Sequence, residues 1–129
     1  MKILLLSLSL LLFSCSDSPI SKIVGEWEMN EKKSNQTYSF LFNLDKTGSL
    51  IGGGGSSDFN WQLDSNKNPI RIDIIAKNST KHGILKFVTD DKIIMRLGSH
   101  GESAPSEFLE GDDLRDSSLA KHQALLFRK

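Results

Sequence analysis

The stretch that decides the fold runs from Phe59 to Ile75 and reads FNWQLDSNKNPIRIDII. Apolar and polar residues alternate on both sides of a polar turn, which is typical of two half-buried strands joined as a hairpin. One face of this hairpin would carry only apolar side chains, namely Phe59, Trp61, Leu63, Ile70, Ile72 and Ile74. A lone hairpin is marginally stable in water, so this face predicts further strands that cover it.

The same alternation recurs before and after the hairpin and predicts more strands. Outside the hairpin, the predicted strands span residues 23–30, 37–43, 49–51, 83–89 and 92–97. Short turns would join them, and a glycine-serine loop that we expect to be mobile would precede the hairpin.

The last segment decides whether the sheet can close. Residues 111–120 could form one or two helical turns, and residues 122–128 could either continue that helix or form a strand. We favour a strand, because an eighth strand would close the sheet and remove its exposed edges. The sequence therefore predicts an all-β, antiparallel up-and-down barrel of about eight strands.

The chain begins with a signal-peptide pattern. Lys2 supplies a positive charge, and the run from Ile3 to Phe13 is apolar except for serines. A membrane-spanning helix takes about 20 apolar residues, so this shorter run predicts a cleaved leader instead.

The end of the leader, Leu12-Phe13-Ser14-Cys15, resembles the lipobox of bacterial lipoproteins, with a branched residue at −3 and a small residue at −1. The resemblance implies cleavage before Cys15 and attachment of fatty acyl chains, palmitate among them, to its sulfur and its new amino group. The alternative is an ordinary leader followed by an unmodified cysteine. Cys15 is the only cysteine, so it has no internal disulfide partner.

These features divide the chain into a signal peptide at 1–14, a lipidated tether at 15–22 and a barrel domain at 23–129. A lipid anchor implies a place in the bacterial cell envelope. By the sorting pattern of enteric lipoproteins, Ser16 in place of aspartate after the cysteine favours the outer membrane. The membrane would thus be one partner of the protein.

Two features of the predicted barrel resemble the lipocalin-like (calycin) fold. Gly25-Glu26-Trp27 is similar to the G-x-W of the first lipocalin strand, and Arg128 is similar to the basic residue that closes those barrels over the tryptophan. A further match to small bacterial lipocalin-like domains of uncharacterised function involves Leu63, Asp64, Pro69, Ile72, Asp73, Ile74, Gly83, Ile84, Asp90, Asp91, Pro105 and Phe108. The resemblance implies a fold more than an activity.

Composition and motifs argue against several classes of function. The formal net charge is zero at pH 7, which provides no basic surface for nucleic acid. Residues 52–55 are glycines without the lysine and helix of a phosphate loop, and no G-x-S-x-G motif occurs. We therefore expect that the protein is not an enzyme and that it binds no cofactor.

Two clusters that contain acidic residues are candidates for cation sites. His100 with Glu102 and Glu107 lacks a second histidine at ligand spacing. Residues 110–116 lack the spacing of a calcium loop and are more typical of a solvated helix start. We expect no metal site.

A ligand, if there is one, would meet aromatic side chains inside the barrel, namely Trp27, Tyr38, Phe40, Phe42, Phe59, Trp61 and Phe87. Small eight-stranded barrels hold either packed side chains or one small ligand, and the short strands favour a filled interior by a small margin. The function we expect is binding of a small apolar ligand. The alternative is an envelope protein that contacts a protein partner through residues 52–57 and 99–106.

Overall fold

Eight antiparallel strands close into a barrel in the computed structural model of the chain, which describes residues 18–31, 35–109 and 123–129. Each strand pairs with the next along the chain, and the last pairs with the first. The elements are α1 Pro19–Ile23, β1 Gly25–Glu31, β2 Gln36–Phe42, β3 Thr47–Gly52, β4 Gly55–Asp64, β5 Ile70–Ala76, β6 Ser79–Thr89, β7 Lys92–Leu97 and β8 Gln123–Arg128. The predicted all-β, up-and-down barrel is confirmed.

The hairpin read first in the sequence is β4 and β5, with β3 on one side and β6 on the other. Trp61 lies opposite Ile74, and Leu63 lies opposite Ile72. Phe59, Trp61, Ile72 and Ile74 are all buried, as their alternation predicts. The hairpin therefore contributes one continuous apolar strip to the interior.

The first predicted strand begins too early, because residues 19–23 form a short helix. Ser18 caps this helix, its Oγ accepting a hydrogen bond from the Ser21 amide at 3.2 Å, and Pro19 occupies the first turn. Proline suits that position because no amide hydrogen is needed there. Ile23 is fully buried, as an apolar alternation would suggest, but it belongs to α1.

The glycine-rich stretch is also more ordered than the sequence suggests. Only Gly53 and Gly54 form the turn, while Gly55 to Ser57 belong to β4 and pair with β3. Both turn residues have positive φ, 63° and 81°, which two-residue hairpin turns commonly require and glycine adopts readily. The glycine-serine loop is therefore shorter than expected, with a tight turn of two residues between paired strands.

The barrel has two different ends. One end, the closed end, carries α1 and the turns after β2, β4 and β6, whereas the other end, the mouth, carries the turns after β3 and β5. Large side chains fill the closed half, each at most 1% exposed: Trp27, Phe42, Trp61, Ile72, Leu85, Ile93 and Leu126. Edge-to-face contact between Phe42 and Trp61, with ring centroids 5.6 Å apart, is part of this packing.

The turn after β2 helps to position Trp61. Asp45 accepts hydrogen bonds from the Thr47 hydroxyl at 2.5 Å and the Thr47 amide at 3.0 Å. Both bonds stabilise the charged form of the Asp45 carboxyl and therefore lower its pKa. The bond from the Thr47 hydroxyl has the larger effect. The carbonyl of Thr47 in turn accepts the indole hydrogen of Trp61 at 3.0 Å.

Arg128 holds α1 against the closed end. Its Cζ lies 4.3 Å from the centroid of the Trp27 ring, within the distance of about 6 Å for a cation–π contact. The guanidinium also donates to the carbonyls of Lys22 at 2.5 Å and Val24 at 3.2 Å, and the Trp27 indole donates to Ile23 at 2.8 Å. The arginine and the tryptophan thus bind the same short stretch of backbone.

A second, smaller apolar layer covers the outside of the sheet. Residues 98–109 run over β7 and β8, where Arg96 donates to the Glu107 carbonyl at 2.6 Å and Gln123 exchanges hydrogen bonds with the Leu109 backbone. Ile94, which faces outward, is buried beside Phe108 and Leu109. This layer lies on the outer face of the sheet and does not enter the barrel interior.

We expect Arg128→Leu to lower the free energy of unfolding by about 2–4 kcal/mol. The substitution removes charge-assisted hydrogen bonds to three backbone carbonyls, those of Lys22, Val24 and Asp90, and the cation over Trp27. It also removes the ion pair with Asp91 at 3.4 Å. Urea unfolding followed by circular dichroism measures this. Arg71→Leu, on the exposed face of β5, is the matched control and should change stability by about 0.5 kcal/mol or less. Equal losses in both variants would contradict the role of Arg128.

Candidate functional site

A cavity of about 420 Å³ opens at the mouth of the barrel. Its apolar lining consists of Phe40, Leu50, Phe59, Ile74, Ala76, Met95, Leu97 and Ala124. Ser57, Asp58, Ser79 and Lys81 complete the lining. We call this cavity the cup. A concave, mainly apolar space with a few polar groups is the usual form of a small-molecule site.

The cup exists because small residues occupy inward positions in the mouth half. Ser57 lies two residues before buried Phe59, Ala76 two residues after buried Ile74, and Ala124 two residues before buried Leu126. Since alternate residues of a strand share a face, all three small residues point inward. Side chains of this size cannot meet across the barrel, so the mouth half stays open where the closed half is filled.

Aromatic side chains form the floor and one wall of the cup. The Phe59 ring lies 6.5 Å from that of Phe40 and 5.7 Å from that of Phe42, measured between centroids. Gly48 makes room for it, because a Cβ there would lie 2.6 Å from Phe59 Cε2. Glycine at this position therefore sets where the Phe59 ring lies.

The structure brings only part of the predicted aromatic set to the cup. Phe40 and Phe59 line it. Trp27, Phe42 and Trp61 are buried in the closed half and do not appear in the lining. These three residues therefore lie apart from the cup, because the barrel separates the aromatic side chains along its axis.

The remaining two aromatic residues lie at opposite ends of the barrel. Tyr38 is half-buried beside the tight glycine turn at the mouth, and its hydroxyl donates to Gln36 Oε1 at 2.9 Å. Phe87 lies at the closed end, with the Lys22 ammonium 5.8 Å from its ring centroid. Neither residue lines the cup.

The preference for a filled interior holds for the closed half and is wrong for the mouth half. Alternation shows which residues point inward but says little about how much space they leave. The signal in the sequence was the small inward set, Ser57, Ala76, Ser79 and Ala124. The remaining lining residues Leu50, Met95, Leu97 and Lys81 were not predicted from the sequence.

The histidines in the described part of the chain take part in local contacts. His82 Nδ1 lies 2.6 Å from Asp73 Oδ1 on the outer face of the barrel, and His100 Nδ1 accepts the Thr80 amide hydrogen at 3.3 Å. Within residues 18–31, 35–109 and 123–129, no group of three or more histidine, cysteine or acidic side chains could hold a metal ion.

Several sequence predictions fall outside the described residues. They are the signal peptide, Cys15, the acidic stretch at 110–116, the helical turns at 111–120 and His122. In the part of the chain that the structure does describe, no helix combines the length and hydropathy needed to cross a bilayer.

No protein-family model, curated protein or solved structure matches the chain. The barrel is consistent with a lipocalin-like fold by its strand number and order.

We expect Gly48→Ala to lower the free energy of unfolding by about 1–3 kcal/mol, the usual range for overpacking a core. The added methyl would collide with the Leu41 carbonyl and with the Phe59 ring. Gly55→Ala is the matched control, because nothing lies within 4 Å of a Cβ built there. Urea unfolding should separate the two variants, and an unchanged Gly48→Ala protein would contradict the tight seating of Phe59.

Proposed function

We propose that the protein is a lipid-anchored, lipocalin-like binding protein of the bacterial cell envelope that holds a small apolar ligand in the cup. One observation carries the proposal: the cup encloses about 420 Å³ between mainly apolar side chains. Ligand sites of folded proteins usually measure about 300–1,000 Å³ and are lined in the same way. Each ligand methylene buried there would contribute about 0.8 kcal/mol.

The contact between Trp27 and Arg128 supports the lipocalin-like part of the proposal. The G-x-W tryptophan and the basic residue near the chain end lie 4.3 Å apart, measured from Cζ to the ring centroid. This is the relation that the lipocalin resemblance implies. Because no family model matches, the assignment rests on this contact and on the strand order.

Binding is favoured over catalysis by the polar groups at the cup. No histidine lines it, and among the described residues neither serine of the lining is hydrogen-bonded to Lys81. An activated nucleophile needs a base within hydrogen-bond reach. The cup therefore has the apolar surface of a binding site without the paired groups of a hydrolytic one.

The position of α1 suggests how an anchored barrel would face the membrane. If Cys15 is acylated, residues 16–18 precede the helix and span at most about 10 Å at ~3.5 Å per residue. The closed end would then lie against the bilayer and the mouth would point away from it. Exposed large apolar side chains support this orientation. Three of the four among the described residues, Leu44, Val88 and Phe127, lie near the closed end, and only Ile51 lies near the mouth.

The cup can be tested with a neutral probe, 1-decanol, titrated calorimetrically into the full-length protein in nanodiscs with empty nanodiscs as the blank. We expect Ala124→Leu to weaken decanol binding by about tenfold, because the larger side chain displaces roughly two ligand methylenes at ~0.8 kcal/mol each. Ala104→Leu adds the same atoms to the outer segment and should leave binding unchanged.

Failure of decanol to bind the unaltered protein would refute the cup as a ligand site. The alternative, an envelope protein that meets a protein partner through the glycine turn and residues 99–106, would then take its place. Equal binding by the unaltered protein and Ala124→Leu would mean that decanol binds elsewhere.

The anchor is tested by Cys15→Ser, which removes the sulfur that would be acylated. We expect the protein to leave the membrane fraction and to lose incorporation of labelled palmitate, since stable anchoring takes at least two acyl chains or an equivalent second signal. Cell fractionation with immunoblotting measures this, and Ser18→Ala is the control. A Cys15→Ser protein that stays with the membrane would overturn the proposed anchor.

A further inference from the structure

The cup contains one basic side chain, that of Lys81, in a row of otherwise small or apolar inward positions. Lys81 lies opposite Ile74, a lining residue, in the register between β5 and β6. Its neighbours on the same face of β6 are Ser79 and Gly83. A lysine at an inward position is uncommon, because its charge favours water.

Lys81 has no ion-pair or hydrogen-bond partner among the residues that the structure describes. Other lysines of the barrel do have partners: Lys22 pairs with Asp90 at 3.6 Å and Lys129 with Glu26 at 3.2 Å. The acidic residue at the cup, Asp58, instead accepts a hydrogen bond from Ser49 at 2.8 Å on the outer face. Within residues 18–31, 35–109 and 123–129, no side chain therefore competes with an anionic ligand for the Lys81 ammonium.

We propose that the ligand of the cup is a single-chain amphiphile with a carboxylate head, which pairs with the Lys81 ammonium while its chain lies against Phe40, Phe59 and Met95. This inference rests on the proposed function and names the class of ligand. Ser57 and Ser79 also line the cup and are suited to donate hydrogen bonds to the same head. Charge-assisted bonds of this kind are stronger than neutral ones.

The size of the cup suits a single chain. Its volume of about 420 Å³ lies in the lower part of the range of about 300–1,000 Å³ that is usual for small-molecule sites. The cup is open at the mouth, where the head of a bound amphiphile would lie. We therefore choose a free carboxylate of medium chain length, decanoate, as the probe.

The test compares decanoate with 1-decanol, which share a chain and differ in the charge of the head. Both are titrated calorimetrically into the full-length protein in nanodiscs at about pH 8, where the carboxylate is ionised and lysine is protonated. We expect the unaltered protein to bind decanoate about 5–10-fold more tightly than decanol. The pair lies near solvent, so a larger preference is not expected.

Lys81→Met should abolish this preference and leave decanol binding within about twofold, because methionine keeps an unbranched apolar stem without the charge. Lys81→Arg should retain the preference. Lys86→Met is the matched control, since Lys86 lies on the same strand but is exposed on the outer face, and it should behave like the unaltered protein.

The outcomes separate this inference from the proposed function. If decanol and decanoate bind the unaltered protein equally, or if Lys81→Met keeps the preference, the anionic head is refuted while the cup remains a ligand site. If neither compound binds, the cup itself is refuted and the inference falls with it.

Discussion

Closure of the sheet is the constraint on which the rest of the structure depends. The first and last strands pair through Trp27 with Arg128 and Glu28 with Phe127, and the Lys129 amide donates to the Glu26 carbonyl at 3.0 Å. Both residues of the first pair also form the cation–π contact that holds α1. Backbone pairing and side-chain stacking therefore occur together at the closed end, where the pairing removes the edges of β1 and β8.

With the sheet closed at that end, side-chain size decides what the interior contains. Trp27, Trp61 and Phe42 fill the closed half, whereas Ser57 and Ala124 leave the mouth half open. The same alternation of inward and outward residues runs through both halves. A barrel of this size can therefore combine a packed core with a binding cavity along one axis, without any change in strand order.

Much of this fold follows from the sequence, because alternation over several residues is a direct consequence of strand geometry. The bounds of β7 match those predicted, and the contact between Arg128 and Trp27 is the one that the lipocalin resemblance implies. The predicted strand at 83–89 starts later than β6, which begins at Ser79, because inward Lys81 interrupts the apolar alternation. Ile94 breaks the pattern in the opposite way, being buried by residues 98–109 on the outer face.

The candidate site was less predictable than the fold. Aromatic residues show where the apolar surface is large. A cavity depends instead on small side chains between them, and residues such as Ala76 have no distinctive pattern in a sequence. Likewise, the tight turn at Gly53 and Gly54 depends on two positive φ angles that composition alone does not reveal. Both the cavity and the turn depend on where residues lie in three dimensions, which residue type alone does not specify.

The unequal filling of the barrel has a consequence for its local stability. Backbone segments with few buried apolar contacts open at a lower free energy than the core does, so the mouth half should exchange its amide hydrogens before the closed half. A molecule that occupies the cup supplies part of the missing interior and stabilises the native state by linkage. If the cup binds the proposed ligand, occupancy and rigidity of the mouth would be two aspects of one equilibrium.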